Sequence, residues 1–257
     1  MMNLALNTEI AIGYKSPSQR VRVITEKWFE ENMYCPACPS EILEAAPPSK
    51  KVIDFVCPRC DEKYQMKSMR HKFGSKVMNS AYYPKIEAIK KGTAPNYVFM
   101  HYERKDMKVY DVMVIPRYFM SEEIIEKRKP LSSNARRAGW IGSNILLERL
   151  PQDARIYMVK EGRIIPERDV REAWKRFSFF NEIPVSSKGW LTDIISCIRK
   201  LDKREFTLQE IYEFEDWLGK MHPQNKHIKP KIRQQLQILR DRGILEFMGK
   251  GRYRLKI

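Results

Sequence analysis

The chain contains 257 residues, of which 43% are hydrophobic and 11% are aromatic. This composition can build a packed core, which excludes wholesale disorder, and the length suits one large domain or two modest ones. The 48 Lys and Arg residues outnumber the 32 Asp and Glu residues, giving a formal net charge of +16. The excess predicts a polyanionic partner such as nucleic acid, although charge alone also allows an anionic membrane surface or a protein that is merely basic.

The sequence predicts a protein that does not cross a membrane. No stretch approaches the ~20 consecutive apolar residues that a membrane-spanning helix needs. The opening residues MMNLALNTEIAIGYK lack a basic segment followed by a long apolar run, so they do not resemble a signal peptide. We therefore expect a cytoplasmic location.

Predicted helices and strands alternate in the first two thirds of the chain. Ser16-Pro17-Ser18-Gln19 has the form of a capping box with proline at the first helical position, which predicts a helix over residues 17–31. Runs rich in β-branched and aromatic residues predict strands, and other segments show helical periodicity. The strands are expected over 51–57, 62–68, 96–103, 108–116 and from Ala154 onward, and further helices over 79–91 and 166–177. This order predicts an α/β fold.

The pattern changes at residues 183–187, where the sequence Ile-Pro-Val-Ser-Ser predicts a domain boundary. We expect one domain over residues 1–182 and a second over 183–257. Thr207 and Glu210 form a second capping box, and the final stretch, ILEFMGKGRYRLKI, predicts two short strands. The helical patterns of this part lie over 188–201, 207–221 and 229–242. Three helices followed by a basic hairpin are typical of a winged helix-turn-helix domain.

Four of the five cysteines form two Cys-x-x-Cys pairs, Cys35 with Cys38 and Cys57 with Cys60, separated by 18 residues. In a reducing compartment this spacing indicates a tetrahedral zinc site more often than disulfides. Four protein ligands leave no open coordination position, so we predict a structural zinc ion. The second pair lies between two predicted strands, and the ion would fix the turn that joins them.

Those two strands carry a candidate catalytic set. Asp54 lies on the first, while Gln65 and Lys67 lie two residues apart on the second and so share a face. An acidic residue opposite a Gln/Glu-x-Lys pair resembles the PD-(D/E)xK nuclease core. We expect Asp54, the side-chain oxygen of Gln65 and the backbone carbonyl of Met66 to bind Mg²⁺, which prefers oxygen ligands. Lys67 would orient or deprotonate the attacking water and offset charge developing at phosphorus.

The short pattern alone also fits a polar strand face with Lys67 in solvent. The residue before Asp54 is Ile53 where such nucleases usually have proline, and Gln65 lacks the negative charge of the commoner Glu, which predicts weaker Mg²⁺ binding. Glu26 falls away from the apolar stripe of the first helix and is not included among the predicted ligands.

Much longer stretches of the chain resemble the DpnI family, restriction endonucleases that cut GATC when its adenine carries a methyl group on the exocyclic amine. The similarity covers both cysteine pairs with Asp54 and Gln65-Met66-Lys67. It also covers YKSPSQRVRVITEKW, KPLSSNARRAGWIGSNI, SSKGWLTDIISCIRKL, EFTLQEIYEFE and HIKPKIRQQLQILRDRGILEFMGKGRYR. The family has Glu at the position of Gln65.

This resemblance implies a PD-(D/E)xK restriction-endonuclease-like mixed sheet flanked by helices, with an inserted four-cysteine zinc ribbon, followed by the winged helix-turn-helix domain. It implies a type II deoxyribonuclease that hydrolyses double-stranded DNA at N6-methylated GATC with Mg²⁺, both domains contributing to recognition. We expect a monomer without an obligatory protein partner.

The third helix of the second domain is the predicted DNA-reading element. Ile232, Leu236 and Leu239 recur at helical spacing as a buried stripe, which leaves polar side chains for the major groove. Those polar side chains are Lys231, Arg233, Gln234 and Gln237. In the hairpin, Lys250, Arg252 and Arg254 would contact phosphates. A solvated polar helix face is the alternative.

A further DNA-facing segment is predicted in the first domain. Arg136 and Arg137 precede a Gly139-Trp140 pair. Trp140 would wedge between bases, as apolar side chains do in kinked duplexes, or else it belongs to the core.

Two other functions stay open at this level. A regulator that binds DNA without cutting it would need only the zinc ribbon and the winged helix. A nuclease directed to a different modified site would share the catalytic set but not the target.

Overall fold

The computed structural model of the chain describes residues 2–47 and 53–256. Residue contacts group into two compact units. The first unit comprises Met1–Asn79, Thr93–Tyr118 and Asp153–Ser178, and the second comprises Ser80–Gly92, Phe119–Gln152 and Phe179–Ile257. Segments of the predicted first domain thus occur in both units, and the boundary proposed at residue 183 stays a prediction.

The strands alternate with helices as the sequence predicted. In chain order the strands are β1 Glu44–Ala45, β2 Phe55–Val56, β3 Lys63–Met69, β4 Lys76–Ala81, β5 Asn96–Glu103, β6 Lys108–Ile115, β7 Ile125–Lys127, β8 Gly142–Leu146, β9 Ile156–Lys160, β10 Arg163–Ile164, β11 Glu205–Thr207, β12 Leu245–Gly249 and β13 Arg252–Leu255. The helices are α1 Pro17–Asn32, α2 Tyr82–Lys90, α3 Glu167–Arg176, α4 Val185–Lys200, α5 Leu208–Tyr212, α6 Glu215–Met221 and α7 Ile228–Asp241.

The first unit is built on a seven-stranded mixed sheet with the order β1-β2-β3-β5-β6-β9-β10. Strands β3 and β5 run parallel, while the other neighbours are antiparallel. The middle of β5 is buried on both faces, since Val98, Phe99 and Met100 are fully buried. Helix α1 packs against this sheet, and its Phe29 ring lies 4.3 Å from that of Phe55. The predicted mixed α/β fold is confirmed.

The second unit contains a three-stranded sheet in the order β4-β8-β7, to which β4 contributes its last residues, and a helical part with a small sheet β11-β13-β12. Helices α4 to α7 surround a core that includes Ile194, Ile232 and Leu236. Strands β12 and β13 form the expected hairpin, and the capping box of Thr207 and Glu210 is present. The C-terminal helix-turn-helix architecture is as predicted.

Several local predictions were wrong. The Ser16 side chain does not cap α1; its hydroxyl instead lies 2.9 Å from that of Ser18. The helix expected over 207–221 is interrupted between α5 and α6. Of the strand expected over 51–57, residues 51 and 52 lie outside the described residues, and among residues 53–57 the strand comprises Phe55–Val56. Strand β4 was not predicted.

Among the described residues, no helix combines the length and the apolar character that crossing a membrane requires.

Candidate active site and metal centre

The candidate catalytic residues lie on the hairpin of β2 and β3. Phe55 pairs with Tyr64, and the Asp54 backbone N–H donates to the Tyr64 carbonyl at 2.9 Å. Continuing this register by one residue sets Asp54 opposite Gln65. Side chains directly opposite each other in an antiparallel pair project to the same face. The local backbone therefore suits the arrangement that the sequence predicted.

The Asp54 carboxylate is fixed by the neighbouring strand. Its Oδ2 accepts the Met66 backbone N–H at 2.8 Å. Burial raises the pKa of Asp54, while the Met66 N–H and the Arg22 guanidinium act in the opposite direction. The carboxylate thus lies beside the peptide group that joins Gln65 to Met66, one residue before Lys67.

Asp54, Met66 and Lys67 line one cavity of about 580 Å³ in the first unit. The remaining lining residues come from α1, from the end of β3 and from the end of β5 with the segment that follows it. Gln65 is not among the described residues that line this cavity, and its side-chain oxygen is buried. The structure therefore brings Asp54 and Lys67, two of the three predicted catalytic residues, to one cavity. The third, Gln65, lies two residues before Lys67 on β3.

Glu26 is the residue that sequence reasoning left out and that the structure adds to this cavity. The Thr25 hydroxyl donates to the Ser68 hydroxyl at 3.1 Å, which holds α1 against β3. Burial raises the pKa of Glu26, Arg22 lowers it and the Asp54 charge raises it. Two carboxylates thus face one space. In the sequence, Glu26 appears only as a polar residue one helical turn after Arg22. A solvent-exposed helix face shows the same pattern.

The four paired cysteines form a compact cluster. All four sulfur atoms lie within 4.8 Å of one another. The Sγ–Sγ distance is 3.6 Å between Cys35 and Cys60, and 3.5 Å between Cys38 and Cys57. Tetrahedral zinc with bonds of about 2.3 Å needs sulfur atoms about 3.8 Å apart. The cluster could therefore hold a zinc ion with all four ligands supplied by the chain.

Two contacts connect the cysteine cluster to the rest of the first unit. The Tyr64 hydroxyl lies 3.2 Å from the Cys35 sulfur, and Tyr64 directly precedes Gln65 on β3. From α3, the Arg171 Nε donates to the Cys38 carbonyl at 3.1 Å and lies 3.4 Å from the Cys35 carbonyl. A metal bound here would therefore stabilise the strand that carries the candidate catalytic residues.

The start of β3 is held to β5 by a buried amide. The Asn96 amide nitrogen donates to Glu62 at 2.8 Å and to the Lys63 carbonyl at 2.9 Å. The Asn96 side-chain oxygen accepts the Arg117 backbone N–H at 2.8 Å. Because Asn96 is fully buried, these bonds satisfy polar atoms that would otherwise be costly to bury.

The predicted DNA-reading helix is α7. Its apolar stripe is buried as expected, with Ile232, Leu236 and Leu239 fully inaccessible. Gln234 and Gln237 are exposed, and the Lys231 ammonium donates to Gln234 at 2.8 Å. Arg233 is exposed and donates to the Tyr212 hydroxyl at 2.6 Å. The polar face is thus available to a partner.

The basic residues of the wing, which is the hairpin of β12 and β13, differ in the ion pairs that they form. Lys250 is exposed at the turn between β12 and β13, with a positive φ of 48°. Arg254 forms ion pairs with Glu205 at 2.9 Å and Glu246 at 3.5 Å. Arg252 lies 3.6 Å from Glu205 and is 63% exposed. A phosphate that binds Arg254 would have to compete with the carboxylates of Glu205 and Glu246. Among the described residues, no carboxylate pairs with Lys250.

The predicted loop of the first domain joins β7 to β8 in the second unit. Its base is closed by hydrogen bonds from Leu131 N–H to the Trp140 carbonyl and from Gly139 N–H to the Leu131 carbonyl. Arg136 and Arg137 are exposed, and the Arg137 guanidinium lies 4.8 Å from the Trp140 ring. Trp140 is half-buried, so it is not a fully buried core residue.

Comparison with protein families gives two matches. The family described as "DpnI: Dam-replacing family" matches residues 2–183. The domain described as "Dam-replacing HTH domain" matches residues 186–255.

Replacing Arg171 with Met is expected to weaken zinc binding at the cysteine cluster about tenfold or more, because the backbone carbonyls of Cys35 and Cys38 lose their hydrogen-bond donor. The measurement is competition of the purified, zinc-loaded protein with a chromophoric chelator. Arg168→Met is the matched control, since Arg168 lies on the same helix but is 86% exposed and pairs only with Asp169 among the described residues. Equal zinc affinities of the two variants would contradict the positioning role of Arg171.

Proposed function

This chain belongs to the Dam-replacing DpnI family, and on that basis we propose that it is a Mg²⁺-dependent type II restriction endonuclease. Its proposed substrate is double-stranded DNA with N6-methylated adenine in GATC. Family membership implies a methyl-directed restriction enzyme, and the helix-turn-helix domain implies DNA binding. The observation that carries the catalytic proposal is the shared cavity of Asp54, Lys67 and Glu26.

The proposed metal ligands are Asp54 and the Met66 carbonyl, with Glu26 as an additional carboxylate. Gln65 does not line the cavity and its side-chain oxygen is buried, so this side chain would have to turn toward the cavity to reach the ion. When bound, Mg²⁺ supplies Lewis-acid activation of the scissile phosphate. Asp54 is preorganised for this role by its hydrogen bond from the Met66 N–H. Gln65 brings no charge, so Glu26 supports the proposal by offering the second negative charge that a divalent cation favours.

Lys67 is proposed to act on the attacking water and on the phosphate. Its side chain lines the same cavity as Asp54, where it can orient the water and offset charge developing on the phosphate oxygens.

The cysteine cluster is proposed to bind structural zinc. The sulfur distances and the closed ligand set support this, because no ligand position is left for a substrate. The ion would stiffen the hairpin between Val56 and Lys63 and so limit the motion of Asp54 relative to Lys67.

DNA recognition is proposed to use α7, the wing and the loop between β7 and β8. Arg233, Gln234 and Gln237 would face base edges, while Lys231, Lys250, Arg252 and, after release from its carboxylates, Arg254 would contact phosphates. Arg136, Arg137 and Trp140 would contact the duplex from the loop. A regulator that binds but does not cut would need these surfaces alone, and the two carboxylates beside Lys67 favour the nuclease.

Plasmid digestion tests the function directly. With Mg²⁺, the protein is expected to cut plasmid prepared with adenine methylation at GATC and to leave unmethylated plasmid intact. The Trp140→Ala variant is expected to discriminate less between methylated and unmethylated plasmid. The variant should still show a thermal unfolding transition. Cleavage of neither plasmid by zinc-replete protein would favour the DNA-binding regulator, and cleavage at a different modified site would favour the other nuclease.

Exchanging charges at the proposed Mg²⁺ site tests Gln65 and Glu26 together. Gln65→Glu is expected to lower the Mg²⁺ concentration for half-maximal cleavage roughly tenfold, which corresponds to about 1.4 kcal/mol. Glu26→Gln is expected to raise it, and the double variant to return near the wild-type value because the total charge is restored. The measurement is the initial cleavage rate over a Mg²⁺ series. An unchanged midpoint in both single variants would remove both residues from the coordination sphere.

A further inference from the structure

Three arginines lie around the catalytic cavity and were absent from the predicted DNA contacts. Arg22, Arg70 and Arg104 all line the space that contains Asp54 and Lys67. They come from three places in the first unit: helix α1, the residue directly after β3 and the turn after β5.

The sheet topology explains why two of these arginines meet. Strands β3 and β5 are parallel neighbours, with Met69 paired to His101 near their carboxyl ends. Parallel neighbours end at the same edge of a sheet. Arg70 directly follows β3 and Arg104 directly follows β5, so both residues lie at one edge, next to the cavity.

The three arginines differ in the partners they already have. Arg22 lies 3.6 Å from the Glu26 carboxylate. Arg70 is exposed and donates to the His71 ring at 3.3 Å. Arg104 is exposed, and within residues 2–47 and 53–256 its side chain makes neither a hydrogen bond nor an ion pair. Arg70 and Arg104 therefore present guanidinium groups that no described carboxylate neutralises.

A guanidinium group without a carboxylate partner suits phosphate. Its planar fork of N–H donors binds phosphate oxygens in a bidentate manner and stays charged at any physiological pH. A phosphodiester in the cavity would also bring neighbouring phosphates of the same strand close to the cavity rim. Cations there would hold the strand in register while Asp54 and Lys67 act on one linkage.

We propose that Arg70 and Arg104 bind backbone phosphates of the DNA strand that is cut, next to the phosphate held at Asp54 and Lys67. Arg22 keeps its ion pair with Glu26 and is not assigned to a phosphate. This inference rests on the proposed nuclease function and adds the contacts that position its substrate. It is a contact to the backbone, so it raises affinity for every sequence and carries no preference among bases.

The first test measures binding of a short duplex with methylated GATC by fluorescence anisotropy, without added Mg²⁺, over a range of salt concentrations. Each lost phosphate contact lowers the magnitude of the slope of log K against log salt by about 1. Arg104→Gln and Arg70→Gln are each expected to lower it by about 1, and the double variant by about 2. An unmethylated duplex is expected to show the same reductions.

Lys105→Gln is the matched control. Lys105 is the exposed neighbour of Arg104, carries the same charge and is not among the described residues that line the cavity. It is expected to change the slope much less. Equal reductions for Lys105→Gln and Arg104→Gln would overturn the proposal, because they would indicate a general effect of net charge.

The second test locates the contact on the strand. Single phosphates near the cut are replaced, one at a time, by neutral methylphosphonates. At the phosphate that Arg104 binds, the substitution and Arg104→Gln are expected to be non-additive, since each removes the same interaction. Additive losses at every phosphate of the cut strand would overturn the proposal.

These outcomes separate this inference from the proposed function. If wild-type protein binds the duplex and never cuts it, the nuclease proposal fails whatever the arginine variants show. If it cuts while the salt slopes of Arg70→Gln and Arg104→Gln match wild type, only the assignment of these arginines fails.

Discussion

The short turn between Cys57 and Cys60 joins the two strand segments that carry Asp54 and Lys67 in the proposed catalytic site. Cys57 N–H donates to the Glu62 carbonyl at 2.9 Å, and Asp61 adopts a left-handed φ of 57° to close the turn. The turn sets the register of β2 against β3. A slip of one residue would move Lys67 to the other face of the sheet, because strand side chains alternate. Zinc at the four cysteines would stabilise the one register in which Asp54 and Lys67 share a cavity.

The distribution of charge fits the proposed chemistry. The chain carries a net charge of +16, yet two carboxylates, Asp54 and Glu26, lie in one cavity beside Lys67. Burying like charges together is unfavourable unless a cation compensates them. Arg22, which lies 3.6 Å from the Glu26 carboxylate, compensates part of this charge. A bound divalent metal ion would compensate the rest, and the surrounding basic residues would attract the DNA backbone. The same folded unit thus suits both the ion and the polyanion.

The sequence predicted the elements with strong local signals. Cysteine spacing located the four-cysteine cluster, and the period of Ile232, Leu236 and Leu239 located the buried side of α7. Glu26 was missed because its proximity to Asp54 depends on how α1 packs on β3, through contacts such as Thr25 with Ser68. Arg104 was missed for a related reason, since only the parallel pairing of β3 and β5 brings it beside Arg70. The placement of Arg254 between two carboxylates also required the tertiary structure.

Cleavage of methylated plasmid by Asp54→Asn tests whether the hairpin of β2 and β3 carries the active site. The amide has the same shape and can still accept the Met66 N–H, so fold, zinc content and Mg²⁺-free DNA binding should match wild type. Because the variant lacks the carboxylate proposed to hold Mg²⁺, we expect its cleavage rate to fall by about 10²–10³-fold or more. Wild-type cleavage by Asp54→Asn, with Mg²⁺ present and zinc content unchanged, would contradict the central claim that this hairpin carries the active site.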